Sequence, residues 1–148
     1  MTRRQVTKGK PTGINANLAP DAFTLWSKHY LKCEADFSAP EKTFSPVPYF
    51  LLCRAIELSL KATHLRGLSQ GQVRDKFGHD LYKAYEALPT QQCTLDSAEL
   101  QTLKIASDIY AGKGFEYFEP EHALTGFSCY PDLTQLRAVA VKLVENAP

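Results

Sequence analysis

Apolar side chains recur every three to four residues along most of the chain, and no window alternates them every second residue. After Pro20-Asp21, the residues Phe23, Trp26, Tyr30 and Cys33 follow at spacings of three, four and three, an amphipathic stripe that predicts a helix. The longest helical signal runs from about Pro48 to Arg66, with Gly67 as its stop. Leu51, Ala55, Leu58, Ala62 and Leu65 form one apolar row there, and Leu52, Ile56 and Leu60 form a second. A third row, Phe50, Arg54, Glu57, Lys61 and His64, carries the polar residues. A helix apolar around most of its circumference is a central helix rather than a surface one.

Ser69 is placed to cap a short helix through Lys76. Gly78 interrupts, His79 to Leu88 resumes a helix with Leu81, Tyr85 and Leu88 on one side, and Pro89 stops it. Asp96 or Ser97 opens the next helix, which lines up Leu100, Leu103, Ala106 and Tyr110 before Gly112 and Gly114 close it. Asp132 or Thr134 begins the last, with Leu133, Leu136, Ala140 and Leu143 as its stripe. Pro40, Pro46 and Pro48 mark a loop. Residues 113–131 carry Phe115, Tyr117, Phe118, Phe127 and Tyr130, so they predict an ordered aromatic loop that acts as a core lid or a dimer contact. The pattern as a whole predicts an all-α, antiparallel helical bundle of about five longer helices and one short one. Residues 20–148 form its single domain, and residues 1–19 form an irregular lead-in.

Composition changes this picture little. With 148 residues the chain is long enough to bury a full core without staples. The formal charge of +1 argues against a protein held to nucleic acid by bulk charge alone. The distribution is more telling. Arg3, Arg4, Lys8 and Lys10 precede the first acid, Asp21, and the remainder carries 13 bases against 16 acids. A basic start of this size reads as a solvated terminus or, more sharply, as a short nucleic-acid arm. No stretch approaches a bilayer span, and no apolar run follows the N-terminal charges as in a secretory signal. Cys33, Cys53, Cys93 and Cys129 show no C-x-x-C spacing, so they read as reduced packing cysteines in a cytoplasmic protein, with no structural zinc. Glu116, Glu119, Glu121 and His122 are split by Pro120 and do not read as a metal site; no cofactor is implied.

Candidate chemistry gathers in residues 54–81. Glu57 and Lys61 stand at i, i+4 with the acid first, the favoured order for a helix ion pair. His64 lies one turn further along the same strip. His79 and Asp80 open the following helix just after Gly78. Two readings stay open: a solvated strip plus an ordinary helix start, or a polar cluster in which Glu57, Lys61 and His79 meet across the two helices. The second requires the helix at 48–66 to run antiparallel to that at 79–88.

Ala55 to Lys61 (A-I-E-L-S-L-K), a glycine turn and Phe77 to Leu81 (F-G-H-D-L) resemble the HEPN domain superfamily, in which an A-x-E-x-x-L-K helix precedes a helix opened by G-H-D-L. The resemblance covers residues 47–90. It implies a compact helical bundle, often a homodimer. Many members are metal-independent ribonucleases, and others are inactive partners in toxin–antitoxin, defence or nucleotidyltransferase-associated systems. The active members carry Arg, a polar residue, then three to five further residues and His, a pattern matched here by Arg74 to His79. Two functions follow from the resemblance. One is a non-catalytic interaction or nucleotide/RNA-binding module working with a partner protein such as a nucleotidyltransferase or an antitoxin. The other is an endoribonuclease in which Arg74 clamps phosphate and His79 moves the proton, supported by Glu57, Lys61, His64 and Asp80.

Overall fold

A computed structural model describes residues 19–148, so nearly all of the 1–19 lead-in, with its basic residues, lies outside the described residues. These form seven α-helices with no strand among them: α1 (Ala19–Asp36), α2 (Val47–His64), α3 (Gln70–Phe77), α4 (Leu81–Glu86), α5 (Ser97–Ala111), α6 (Pro120–Leu124) and α7 (Leu133–Glu145). The chain is an all-α helical bundle. No described helix is long and apolar enough to cross a membrane.

Helix α2 is the central element, as its two apolar rows require. Leu52, Cys53, Ala55, Ile56 and Ala62 are completely buried, and Leu58 and Leu60 nearly so. Leu103 and Ala106 of α5, and Leu136, Val139 and Ala140 of α7, complete the core around it. Pairwise contacts fix the directions. Tyr30 lies against Arg54, and Thr24 and Glu34 of α1 reach Pro148 and Arg137 at the two ends of the α7 segment. Thr102 and Glu99 of α5 reach Gln135 and Lys142. So α7 runs against both α1 and α5. Within α4–α5, Tyr82 meets Ser107 while Tyr85 meets Leu95, again antiparallel.

Local signals set most helix starts. Ser69 and Gln72 form a reciprocal capping box at α3, Asp96 and Glu99 form another at α5, and Asp132 caps α7. Asp80 accepts from the Lys83 backbone N–H, so α4 starts at Leu81 rather than at His79, which stays in the turn.

Three expectations change. The α1 stripe faces inward only in part: Phe23 packs against the core, but Trp26 is 56% exposed and Cys33 is exposed, while Thr24, Ser27 and Glu34 are buried. The polar residues can go inside because each is satisfied. Ser27 Oγ donates to the Thr24 carbonyl, Thr24 Oγ1 to the Pro148 carbonyl, and Glu34 is held by Arg137. Of the cysteines, all unpaired, only Cys53 is a packing residue. Burial, then the charge of Glu57, pushes its thiol well above the ordinary range, which keeps it protonated. Finally, α4 does not oppose α2. Glu57 meets His79 and His64 meets Ala84, so the contacts rise together along both segments. Helix α3 accounts for this, since it already supplies the reversal after α2.

The aromatic segment 113–131 is ordered and contains α6. Phe115, Phe127 and Tyr130 join Phe44 and Tyr49 in one cluster, with Phe44 stacked on Phe127 at 4.0 Å and Tyr49 on Phe115 at 5.5 Å. Tyr130 also donates to the Gly114 carbonyl at 3.0 Å. Tyr117 and Phe118 remain exposed.

Candidate functional site

The polar row of α2 is not a solvated face. Glu57 is 2% exposed, deep in a helix whose neighbours are apolar. A buried carboxylate is stable only when it is paired, and here three groups pair with it. Arg54 Nη1 donates to Oε1 at 2.5 Å from one turn earlier on the same helix. Lys61 Nζ lies 3.6 Å from that oxygen, one turn later. His79 Nδ1 approaches Oε2 at 2.8 Å from the turn before α4.

That last contact sets the tautomer of the imidazole. A carboxylate only accepts, so a proton of His79 sits on Nδ1, and whenever the ring is neutral its lone pair sits on Nε2. The His79 side chain is 56% exposed, and among the described residues Nε2 has no protein partner. The Tyr110 ring stands edge-on to it, 6.0 Å away at 85°.

Arg54 and Tyr110 are residues that sequence reasoning did not assign to the site. Arg54 was legible on the polar row, three residues before Glu57. Tyr110 gave no local sign, because it is 53 residues further on and reads as core. Burial and then the negative charge of Glu57 hold the Tyr110 phenol far above its ordinary range, so it stays protonated. Burial pulls the Arg54 guanidinium down, but Glu57 and the Tyr110 and Tyr30 hydroxyls outweigh it, and Arg54 is held above its usual value. The Tyr30 ring lies 5.9 Å from the guanidinium carbon. The result is a rigid cluster with two fixed cations, one anion and one exposed imidazole nitrogen.

The other candidate residues go elsewhere. His64 Nε2 is 2.8 Å from the Ala84 carbonyl and its ring lies 4.4 Å from Phe77, so it ties α2 to α4. Asp80 caps α4 and accepts from Ser107 Oγ at 3.3 Å. Arg74 pairs with its neighbour Asp75 at 3.3 Å, with both side chains about three-quarters exposed. No hydrogen bond or ion pair joins Arg74 to His79. Arg74 instead lines a shallow depression with Phe23, Gly71 and Lys61, and Lys61 also reaches Glu57 at 3.6 Å. Among the described residues no group of three or more His, Cys, Asp or Glu could hold a metal ion.

The turn that aims His79 depends on Gly78, whose φ of 52° and ψ of −122° are closed to residues with a side chain. Nothing lies within 4 Å of where a Cβ would stand, so Gly78→Ala adds backbone strain without a clash. We expect it to cost about 1–3 kcal/mol. The melting temperature followed by circular dichroism should fall by roughly 2–12 °C. Gly67→Ala, equally open and free of positive φ, should melt close to the unsubstituted protein.

Comparisons with protein-family models, with curated proteins and with solved structures give no match for this chain.

Proposed function

We propose that this chain is a HEPN-like RNA-binding module that works with a partner protein and takes an RNA phosphate at the Arg54–Lys61–His79 cluster. The observation that carries the reading is the buried Glu57. It fixes Arg54, Lys61 and His79 around one carboxylate and leaves the His79 side chain more than half exposed, with no partner on Nε2 among the described residues. Cations held in place without a search through rotamers are suited to a phosphate, and the excess of positive charge is local, which is compatible with a near-neutral chain. The A-I-E-L-S-L-K and F-G-H-D-L elements support the family reading, because the Glu and the His they contain are the pair that meets. The exposed Leu25 and Trp26 of α1, 53% and 56% accessible, are the apolar surface we assign to the partner protein or to a second copy of this chain.

A second reading, a metal-independent endoribonuclease, is favoured by the tautomer of His79. A neutral imidazole oriented by a carboxylate is a general base, able to take the ribose 2′-OH proton as the oxygen attacks the adjacent phosphorus. The P–O5′ bond then breaks, the 5′-oxygen taking a proton from water or from the imidazolium of His79, which gives a 2′,3′-cyclic phosphate and a 5′-hydroxyl. In this arrangement Arg54 and Lys61, which share the Glu57 carboxylate with His79, are the cations for the phosphate, and Arg74 lines the depression next to Lys61.

Binding of a fluorescent single-stranded RNA, measured by anisotropy in EDTA over a salt series, tests both. We expect Lys61→Gln to weaken binding and to reduce the salt slope by about 0.7 per lost phosphate contact. Unchanged affinity and slope in both Lys61→Gln and His79→Gln would remove the cluster from RNA binding. Gel analysis of the same samples reads the second function: cleavage by the unsubstituted chain that His79→Gln abolishes makes it a nuclease.

A further inference from the structure

A second site lies at the other end of the α1–α2 seam, and its chemistry does not depend on what the Glu57 cluster binds. A cavity of about 540 Å³ opens between the C-terminal end of α1, the loop before α2 and the start of α7. This is the size range of small-molecule sites. Its walls include Phe37, Phe44, Tyr49 and Leu133, and its polar floor is the Glu34–Arg137 pair.

The floor has an unusual division of hydrogen bonds. Glu34 is 3% exposed, while the Arg137 side chain is 43% exposed. Arg137 Nε donates to both carboxylate oxygens at 3.0 Å, and Nη2 donates to Oε1 at 2.6 Å. The side edge of the guanidinium is therefore spent on Glu34. Its end edge is not. Among the described residues Nη1 has no partner, and one N–H of Nη2 remains. Two parallel donors in a fixed plane thus border an aromatic cavity. Glu34 locks the plane, and Tyr49 adds a hydroxyl without a protein partner among the described residues.

The walls select a flat ring. Phe44 is 45% exposed even though Phe127 stacks on it at 4.0 Å, so ring surface remains for a ligand. The charge selects a neutral one, because Glu34 already neutralises Arg137 and a second carboxylate would stand beside it. The donor pair selects two adjacent acceptors on the ring edge. These three demands together describe the O6/N7 edge of guanine, which accepts two parallel N–H donors. Adenine presents N7 beside an N6 amino group, so one donor would face another donor. The geometry points to a guanine nucleoside as the ligand of this cavity, held by the end edge of Arg137 and stacked on Phe44.

Isothermal titration of the full chain with guanosine, inosine, adenosine and benzoate tests this. Inosine carries the same O6/N7 edge. Guanosine and inosine should saturate at similar concentrations, with adenosine about fivefold weaker or more. Arg137→Lys keeps a cation on Glu34 but removes the fork, so guanosine should fall to the level of adenosine. Phe44→Ala, at a half-exposed ring outside the core, should weaken guanosine and adenosine alike by about fivefold or more. It keeps the test open if Arg137→Lys does not fold. Absence of saturable guanosine binding overturns the assignment. So does equal affinity for guanosine and adenosine, benzoate binding as tightly as guanosine, or guanosine affinity that survives Phe44→Ala.

Discussion

Replacing Glu57 with alanine should be among the most damaging single substitutions in the molecule, although it removes a polar residue from a row of charges. The reason is its burial. With Glu57 gone, Arg54 and Lys61, whose side chains are 32% and 13% exposed, lose their counter-charge inside the bundle. Breaking a buried pair costs about 3–5 kcal/mol, and the partial exposure of Arg54 argues for the lower end. At roughly 2–4 °C per kcal/mol for a domain of this size, the melting temperature should drop by about 10 °C. Glu57→Gln keeps the shape and one acceptor, and should cost less than half as much. A solvated strip predicts something different, since surface substitutions stay within about 0.5 kcal/mol. A Glu57→Ala melt within about 2 °C of the unsubstituted protein would return the row to an ordinary surface and remove the anchor of His79.

The same residue shows how far the sequence could be read. The helices were legible because their signals are local. Two capping boxes, Asp132, the glycine stops and the rows of α2 all lie within a few residues of what they specify. The pairing of Glu57 with His79 was legible as one of two alternatives, since it links two marked elements across a short connection. Its direction was not: the antiparallel requirement failed because α3 is a full helix and takes up the reversal. The α1 stripe holds at Phe23 but not at Trp26 and Cys33, for a different reason. Periodicity ranks Trp26 and Cys33 above Thr24, Ser27 and Glu34 for burial, but partners distant in sequence, Pro148 and Arg137, reverse the order. Tyr110 was hidden in the same way. Its helix face reads as core, and only the packing of α5 on α2 reveals that its phenol stands by Arg54 and Glu57. Arg74 shows the converse, a motif position whose ion pair is with its neighbour Asp75 and not with its motif partner. Spacing along a chain constrains where backbones can meet, whereas side-chain direction depends on the turn between them, here on Gly78.

The Glu34–Arg137 pair separates a stabilising role from a binding role. As single changes, Glu34→Ala and Arg137→Ala should not be equivalent. Loss of Arg137 leaves a carboxylate 2% exposed with no cation, and should cost about 3 kcal/mol or more. Loss of Glu34 leaves a guanidinium that is 43% exposed and can turn to water, so it should cost clearly less. The double replacement Glu34→Leu with Arg137→Leu should recover most of the Arg137→Ala loss, because apolar residues of similar volume often equal or better a buried ion pair. Thermal melts of the three variants give the comparison, and a double variant no more stable than Arg137→Ala would show that the fold itself needs the pair. The expected recovery has a consequence for the cavity. A pair that the fold can do without, placed where α1 and α7 meet beneath an aromatic wall, has its value in the orientation of the guanidinium. Leucine can replace the pair in packing terms, but it cannot hold two N–H donors in one plane at the edge of the cavity. Stability and guanosine binding should therefore part company in the double variant, the first retained and the second lost.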